Sequence, residues 1–163
     1  MFSLEIETLA RLLVDECQER RLRIVTAESC TGGLVSAAIT SVAGSSAVFD
    51  RGLITYSNRA KQELLDVPGD LIADYGAVSE PVARMMAEGA LENSSAHIAV
   101  AITGVAGPGG GTDMKPVGLV HLATARSNQS VMHRVERFGD MPRHEIQMGA
   151  VQIALEMLRD RIR

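Results

Sequence analysis

Aromatic side chains are scarce in this chain, which has two tyrosines and three phenylalanines in 163 residues. There is little to stack on bases and no basic block to track a phosphate backbone, since the net charge of −4 is spread along the chain. Nucleic acid is therefore not expected as a partner. No run approaches the ~18 apolar residues that a membrane-spanning helix needs, so no membrane partner is expected either. The opening stretch MFSLEIETLARLL sets acids among its apolar positions and has no basic segment leading into an uninterrupted apolar core, unlike a secretory signal. Cysteine is limited to Cys17 and Cys30, which form neither a C-x-x-C pair nor a disulfide framework, as expected in a reducing compartment. These absences predict a soluble, cytoplasmic protein. The four histidines, His97, His121, His133 and His144, lack H-x-x-x-H spacing, and nothing in the pattern calls for a metal or a cofactor.

Lysine is the most informative shortage. Of sixteen basic residues only Lys61 and Lys115 are lysine, the other fourteen being arginine. Arginine keeps its proton in a protein, whereas a lysine can be tuned to act as a base. The candidates for a basic amine are thus reduced to two.

What is present describes one α/β domain. Apolar residues make up 46% of the chain and charged residues 22%, near globular averages, and the length suits a single core. Leu4, Ile6, Leu9, Leu12, Leu13 and Cys17 predict an amphipathic helix over residues 4–20. Strands are predicted at 22–27, 49–57, 97–103, 118–125 and 131–138, the last two forming a hairpin across Ser127-Asn128-Gln129. Further helices are predicted at 33–42, 60–65, from the Ser79 cap to about 92, and at 143–161, with 71–75 short and helical or irregular. The order predicts an α/β/α sandwich with a mixed, largely parallel sheet and the hairpin toward one edge. In such folds ligands sit beyond the carboxyl ends of parallel strands.

Three of those ends carry chemistry. The first strand runs into Glu28-Ser29-Cys30-Thr31-Gly32-Gly33, a βα turn that would expose a hydroxyl and a thiol beside unpaired helix N–H groups. Such groups can hold an oxyanion, but Ser and Gly also occur there merely as cap and turn residues, and spacing does not choose between Ser29 and neighbouring Cys30 as nucleophile. The second strand ends on Tyr56, with Lys61 in the first turn of the next helix. That placement opposes the helix dipole and favours the neutral amine. The third ends at Thr103, followed by Gly104, Gly107, Gly109, Gly110 and Gly111, five glycines in eight residues. This loop has neither a G-K-[ST] nor a G-x-G-x-x-G pattern, and is either a ligand-facing backbone loop or a connector.

Four segments then carry a resemblance: TAESCTGG at 26–33, AGSSAVFDRGLITYSNRAK at 43–61, YGAVSEPVARMMAEGA at 75–90, and AITGVAGPGGGTDMKPVG at 101–118. Together they resemble the CinA C-terminal domain family over nearly the whole chain, and the chain looks like a stand-alone member, residues 1–163 forming one domain. The resemblance implies an amidase that hydrolyses the carboxamide of nicotinamide mononucleotide (NMN) to nicotinic acid mononucleotide and ammonia, in pyridine-nucleotide salvage. It places the family's serine on Ser29, its tyrosine and lysine on Tyr56 and Lys61, and its hydroxyl residue before the glycine loop on Thr103. It also allows a homo-oligomer. Near the last helix, where many relatives have G-D-R and further arginines, this chain has Gly139-Asp140-Met141-Pro142-Arg143 and Gln147, leaving Arg143 to supply the charge.

On this reading Ser29 attacks the carboxamide, neutral Lys61 takes its proton, and Tyr56 relays the proton or orients the amine. N–H groups from Cys30, Thr31, Gly32 and Gly33 hold the oxyanion, and Glu28 bonds to backbone or ligand. Ser45, Ser46 and the glycine loop (Gly104, Gly107, Gly109) are the expected phosphate and ribose contacts. Two alternatives belong to other classes: a catalytically silent nucleotide-binding module, and an interaction protein linked to competence, after the family's historical label.

Overall fold

A computed structural model describes residues 1–163. Its elements are α1 (Leu4–Arg20), β1 (Ile24–Glu28), α2 (Leu34–Thr40), a 3-10 turn at Ser45–Ala47, β2 (Phe49–Ile54), α3 (Asn58–Leu65), α4 (Gly69–Tyr75), α5 (Glu80–Glu92), β3 (Ile98–Gly104), β4 (Leu119–Arg126), β5 (Met132–Arg137) and α6 (Arg143–Ile162). Local chemistry sets the boundaries. Ser3, Ser57 and Ser79 each accept a hydrogen bond from an N–H in the first turn of α1, α3 and α5. Arg21 and Asp66 close α1 and α3 in the left-handed conformation.

The strands form one mixed sheet in the order β2-β1-β3-β4-β5. β1 lies between β2 and β3 and is parallel to both, while β4 and β5 add an antiparallel hairpin at one edge. Alternate residues of β1 and β3 face opposite sides, and both sides are covered. Ile24, Val100 and Ile102 join a 26-residue core with α1, α2 and α6, whereas Val25, Ala27, Ala99 and Ala101 join a 14-residue core with α3, α4 and α5. This double burial is why residues 98–103 read as one apolar run without alternation.

Three boundaries differ from expectation. The second strand leaves the sheet at Ile54, and α3 starts at Asn58 because Ser57 caps it. The 71–75 piece is a true helix starting at Gly69. Two helices also meet unusually closely: a Cβ on Gly89 of α5 would fall 1.9 Å from the Leu65 carbonyl oxygen, so α3 rests on α5 backbone to backbone. That contact seats the helix that carries Lys61.

Candidate active site

Because β1, β2 and β3 run the same way, their carboxyl ends open on one edge of the sheet. There a cleft of about 290 Å³ is lined by Ser29, Cys30, Tyr56, Lys61, Thr103, Gly104, Gly107, Gly109 and Arg143, together with Asn58, Ala77, Val78, Val105, Ala106 and Gly110. Nine of the candidate site residues named from the sequence thus meet in one place.

At its floor Lys61 is 1% exposed and Ser29 8%. Lys61 Nζ lies 3.0 Å from Ser29 Oγ, 2.8 Å from the Thr55 carbonyl oxygen and 3.3 Å from the Tyr56 carbonyl oxygen. Burial holds the Lys61 pKa below the ordinary lysine value, and no carboxylate opposes that shift. The partner set has a simple reading. Carbonyls only accept, so an ammonium donates to all three oxygens, whereas a neutral amine gives its two hydrogens to Thr55 and Tyr56 and leaves its lone pair for the Ser29 hydroxyl proton.

Tyr56 departs from its expected place. Its side chain is 60% exposed and its phenol oxygen accepts a hydrogen bond from Arg143 Nη2 at 2.9 Å, and the phenol makes no hydrogen bond with the amine. The Tyr56 main chain orients Lys61 instead, because the Ser57 cap turns the carbonyls of residues 55 and 56 toward α3. Arg143 also donates from Nη1 to the Gly107 carbonyl at 2.6 Å, fastening the glycine loop to Tyr56 across the cleft mouth. Thr103 Oγ1 donates to the Ala77 carbonyl at 2.9 Å and ties the end of β3 to the cleft wall.

Cys30 lines the cleft, but its thiol is buried and burial pushes its pKa up to about 12. The depression expected beside a helix N-terminus is overridden by loss of solvent, and the thiol stays protonated. Of the two side chains, only the Ser29 hydroxyl makes a hydrogen bond with the Lys61 amine.

Glu28, Thr31, Gly32 and Gly33 do not line the cleft; they build the turn beneath it. The Glu28 carboxylate accepts from Thr31 Oγ1 and Val35 N at 2.8 Å, from Ser36 N at 3.0 Å and from Ser36 Oγ at 2.7 Å. It caps α2, which has no side-chain cap of its own at Gly33. Gly32 and Gly33 have φ of 56° and 103°, values that favour glycine. The oxyanion donors are fewer than expected: the Gly32 N–H donates to the Ser29 carbonyl, and those of Val35 and Ser36 go to Glu28. The N–H groups of Cys30, Thr31 and Gly33 make no hydrogen bond within the chain.

Ser45 and Ser46 are a correction. They precede β2 in a 3-10 turn, and the Val48 carbonyl accepts from Ile24 N at the start of β1, so they lie at the amino-terminal edge of the sheet, opposite the cleft. Strand direction separates them from Ser29 despite their similar Gly-Ser setting. The sequence reading missed Asn58 and the wall at Ala77 and Val78, and cited Gln147 only as a departure from the family. Gln147 Nε2 donates to the Cys30 carbonyl at 3.0 Å. Its place one helical turn after Arg143 was the available signal.

Comparison with known proteins shows the family. The family description CinA C-terminal domain matches residues 6–162. The chain belongs to that family. A CinA-like protein of Parasynechococcus marenigrum is 48% identical over 157 residues, which are 96% of this chain and 37% of that protein. The chain therefore spans less than half the length of the curated relatives it matches. Among solved structures, the competence/damage inducible protein CihA from Agrobacterium tumefaciens is 51% identical with a TM-score of 0.97, covering 98% of this chain and 97% of that one. A competence-damaged protein (CinA) superfamily protein from Klebsiella pneumoniae is 34% identical with a TM-score of 0.91, covering 96% of this chain and 97% of that one.

Proposed function

We propose that this CinA-family domain is an amidohydrolase using a Ser29–Lys61 pair, with the carboxamide of NMN as substrate. The observation that carries the reading is the surroundings of Lys61: a buried amine facing one hydroxyl and two carbonyls, with no carboxylate partner. As Ser29 Oγ forms its bond to the carboxamide carbon, its proton passes to Lys61 Nζ, and the unpartnered N–H groups of Cys30, on the cleft lining, and of the turn just beneath it are the main-chain donors offered to the oxyanion. The resulting ammonium returns the proton to the departing nitrogen as the C–N bond breaks, releasing ammonia and leaving an ester on Ser29. Water then attacks the ester through the same amine, and nicotinic acid mononucleotide leaves as Ser29 regains its proton.

The nucleotide part of the substrate fits the opposite wall. Main-chain N–H groups of Ala106, Gly107, Gly109 and Gly110 have no partner within the chain, and the Arg143 guanidinium stands beside them. These are donors suited to ribose and phosphate oxygens. Ammonia release from NMN tests the whole reading: the wild-type protein turns it over, Ser29→Ala does not, and removing the phosphate from the substrate lowers kcat/KM. Ligand-induced stabilisation without ammonia would indicate a silent binding module, and neither effect would favour a competence-linked interaction protein.

A further inference from the structure

The turn that presents Ser29 has its carbonyls held one by one. The Ser29 carbonyl accepts from Gly32 N and the Thr31 carbonyl from Leu34 N, both within the turn itself. The Cys30 carbonyl between them has no such local donor. Its partner is Gln147 Nε2, at 3.0 Å from a helix 117 residues away in sequence. No other side chain from outside the turn bonds to the main chain of residues 29–33.

A trans peptide is planar, with C=O and N–H pointing in opposite directions. Holding the Cys30 carbonyl toward α6 therefore aims the Thr31 N–H away from α6, and that N–H is one of the three left unpartnered. We infer that Gln147 is a positioning residue which locks the Cys30–Thr31 peptide with its N–H available to the oxyanion, an inference that rests on the Ser29–Lys61 reading. Without the Gln147 donor this peptide loses the only hydrogen bond made by its own C=O or N–H. A rotated plane sets an oxygen where a donor is needed, and repels the developing charge instead of stabilising it.

The test uses the full chain and a fluorophosphonate, which phosphonylates an activated serine whatever the natural substrate. The Ser29 Oγ–P bond forms as P–F breaks, fluoride leaves, and the hydroxyl proton passes to Lys61. Gln147→Met removes the donor at similar length, Gln147→Glu replaces it with an acceptor, and Gln147→Lys restores a donor. Loss or misplacement of one oxyanion donor costs about 10²–10³-fold in rate. Phosphonylation of Ser29 is expected to slow by that factor in Gln147→Met, to slow further in Gln147→Glu, and to recover most of the loss in Gln147→Lys. The KM for NMN should change little while kcat falls. A Gln147→Met protein that melts earlier but is phosphonylated at the wild-type rate overturns the inference, because Gln147 is then only structural. Wild-type labelling at Ser29 without ammonia from NMN strikes the substrate alone and leaves the rate comparison decisive. A wild-type Ser29 inert to the probe contradicts the Ser29–Lys61 pair and this inference together.

Discussion

Glu28, the last residue of β1, and Lys61, in the first turn of α3, are both shut away from water, yet their neighbours differ in kind. Glu28 accepts four hydrogen bonds, two of them from N–H groups that open α2, so its charge is met from every side. Lys61 faces two carbonyls and a hydroxyl and no opposite charge. A buried charge that is fully satisfied supports structure, whereas one that is incompletely paired is driven toward its neutral form. The difference separates the two residues: Glu28 holds the turn, and Lys61 is the one suited to the proposed role of base beside it.

Breaking the basic half should have the larger effect. Lys61→Met is expected to reduce kcat for ammonia release by roughly 10³-fold or more, with the fold retained on circular dichroism. Lys61→Arg should not restore it, since a guanidinium does not give up its proton. The pH dependence has a definite sign. The pKa of Lys61 is lower in the folded protein, so below ~10.4 the unfolded chain binds more protons. This residue's contribution to stability therefore rises with pH from its folded pKa up to ~10.4, and that slope should vanish in Lys61→Met. Turnover should rise with pH across the folded pKa as the amine becomes neutral.

Breaking the satisfied half should act on stability first. Glu28→Gln sets an amide group against N–H and hydroxyl donors and should lower stability by about 3 kcal/mol. A scanning calorimeter should show this as a fall in Tm on the order of 10 °C for a chain of this size. The smallest effect is expected at Cys30, which shares Lys61's burial but stays protonated with its pKa at about 12. Cys30→Ala should keep kcat within about threefold, and iodoacetamide should label the native thiol far more slowly than the unfolded one. Rapid native labelling with loss of activity would return Cys30 to consideration as nucleophile.

The sequence makes some of this legible and conceals the rest for physical reasons. Ser29, Lys61 and Thr103 stand out because each is a reactive or polar side chain at a strand end or helix start, and parallel strands bring those ends together. Ser45 and Ser46 share the same glycine-serine composition but lie before a strand instead of after one, and composition carries no direction. The role expected of the Tyr56 phenol is taken by its carbonyl, since every residue has one and only the Ser57 cap turns it inward. Gln147 contacts the turn across most of the length of the chain, which no local pattern records. Glu28 is legible as polar, but that α2 depends on it for a cap emerges only once Gly33 is seen to offer none.

The state of the Lys61 amine can be measured directly because the chain has only two lysines. With ¹³Cε-lysine labelling, the NMR spectrum contains two side-chain signals, assigned by a Lys115→Arg variant, and each can be followed through a pH titration. The signal that remains in Lys115→Arg, from Lys61, is expected to titrate below the ordinary ~10.4. A Lys61 signal that titrates near ~10.4 would contradict a neutral amine beside Ser29.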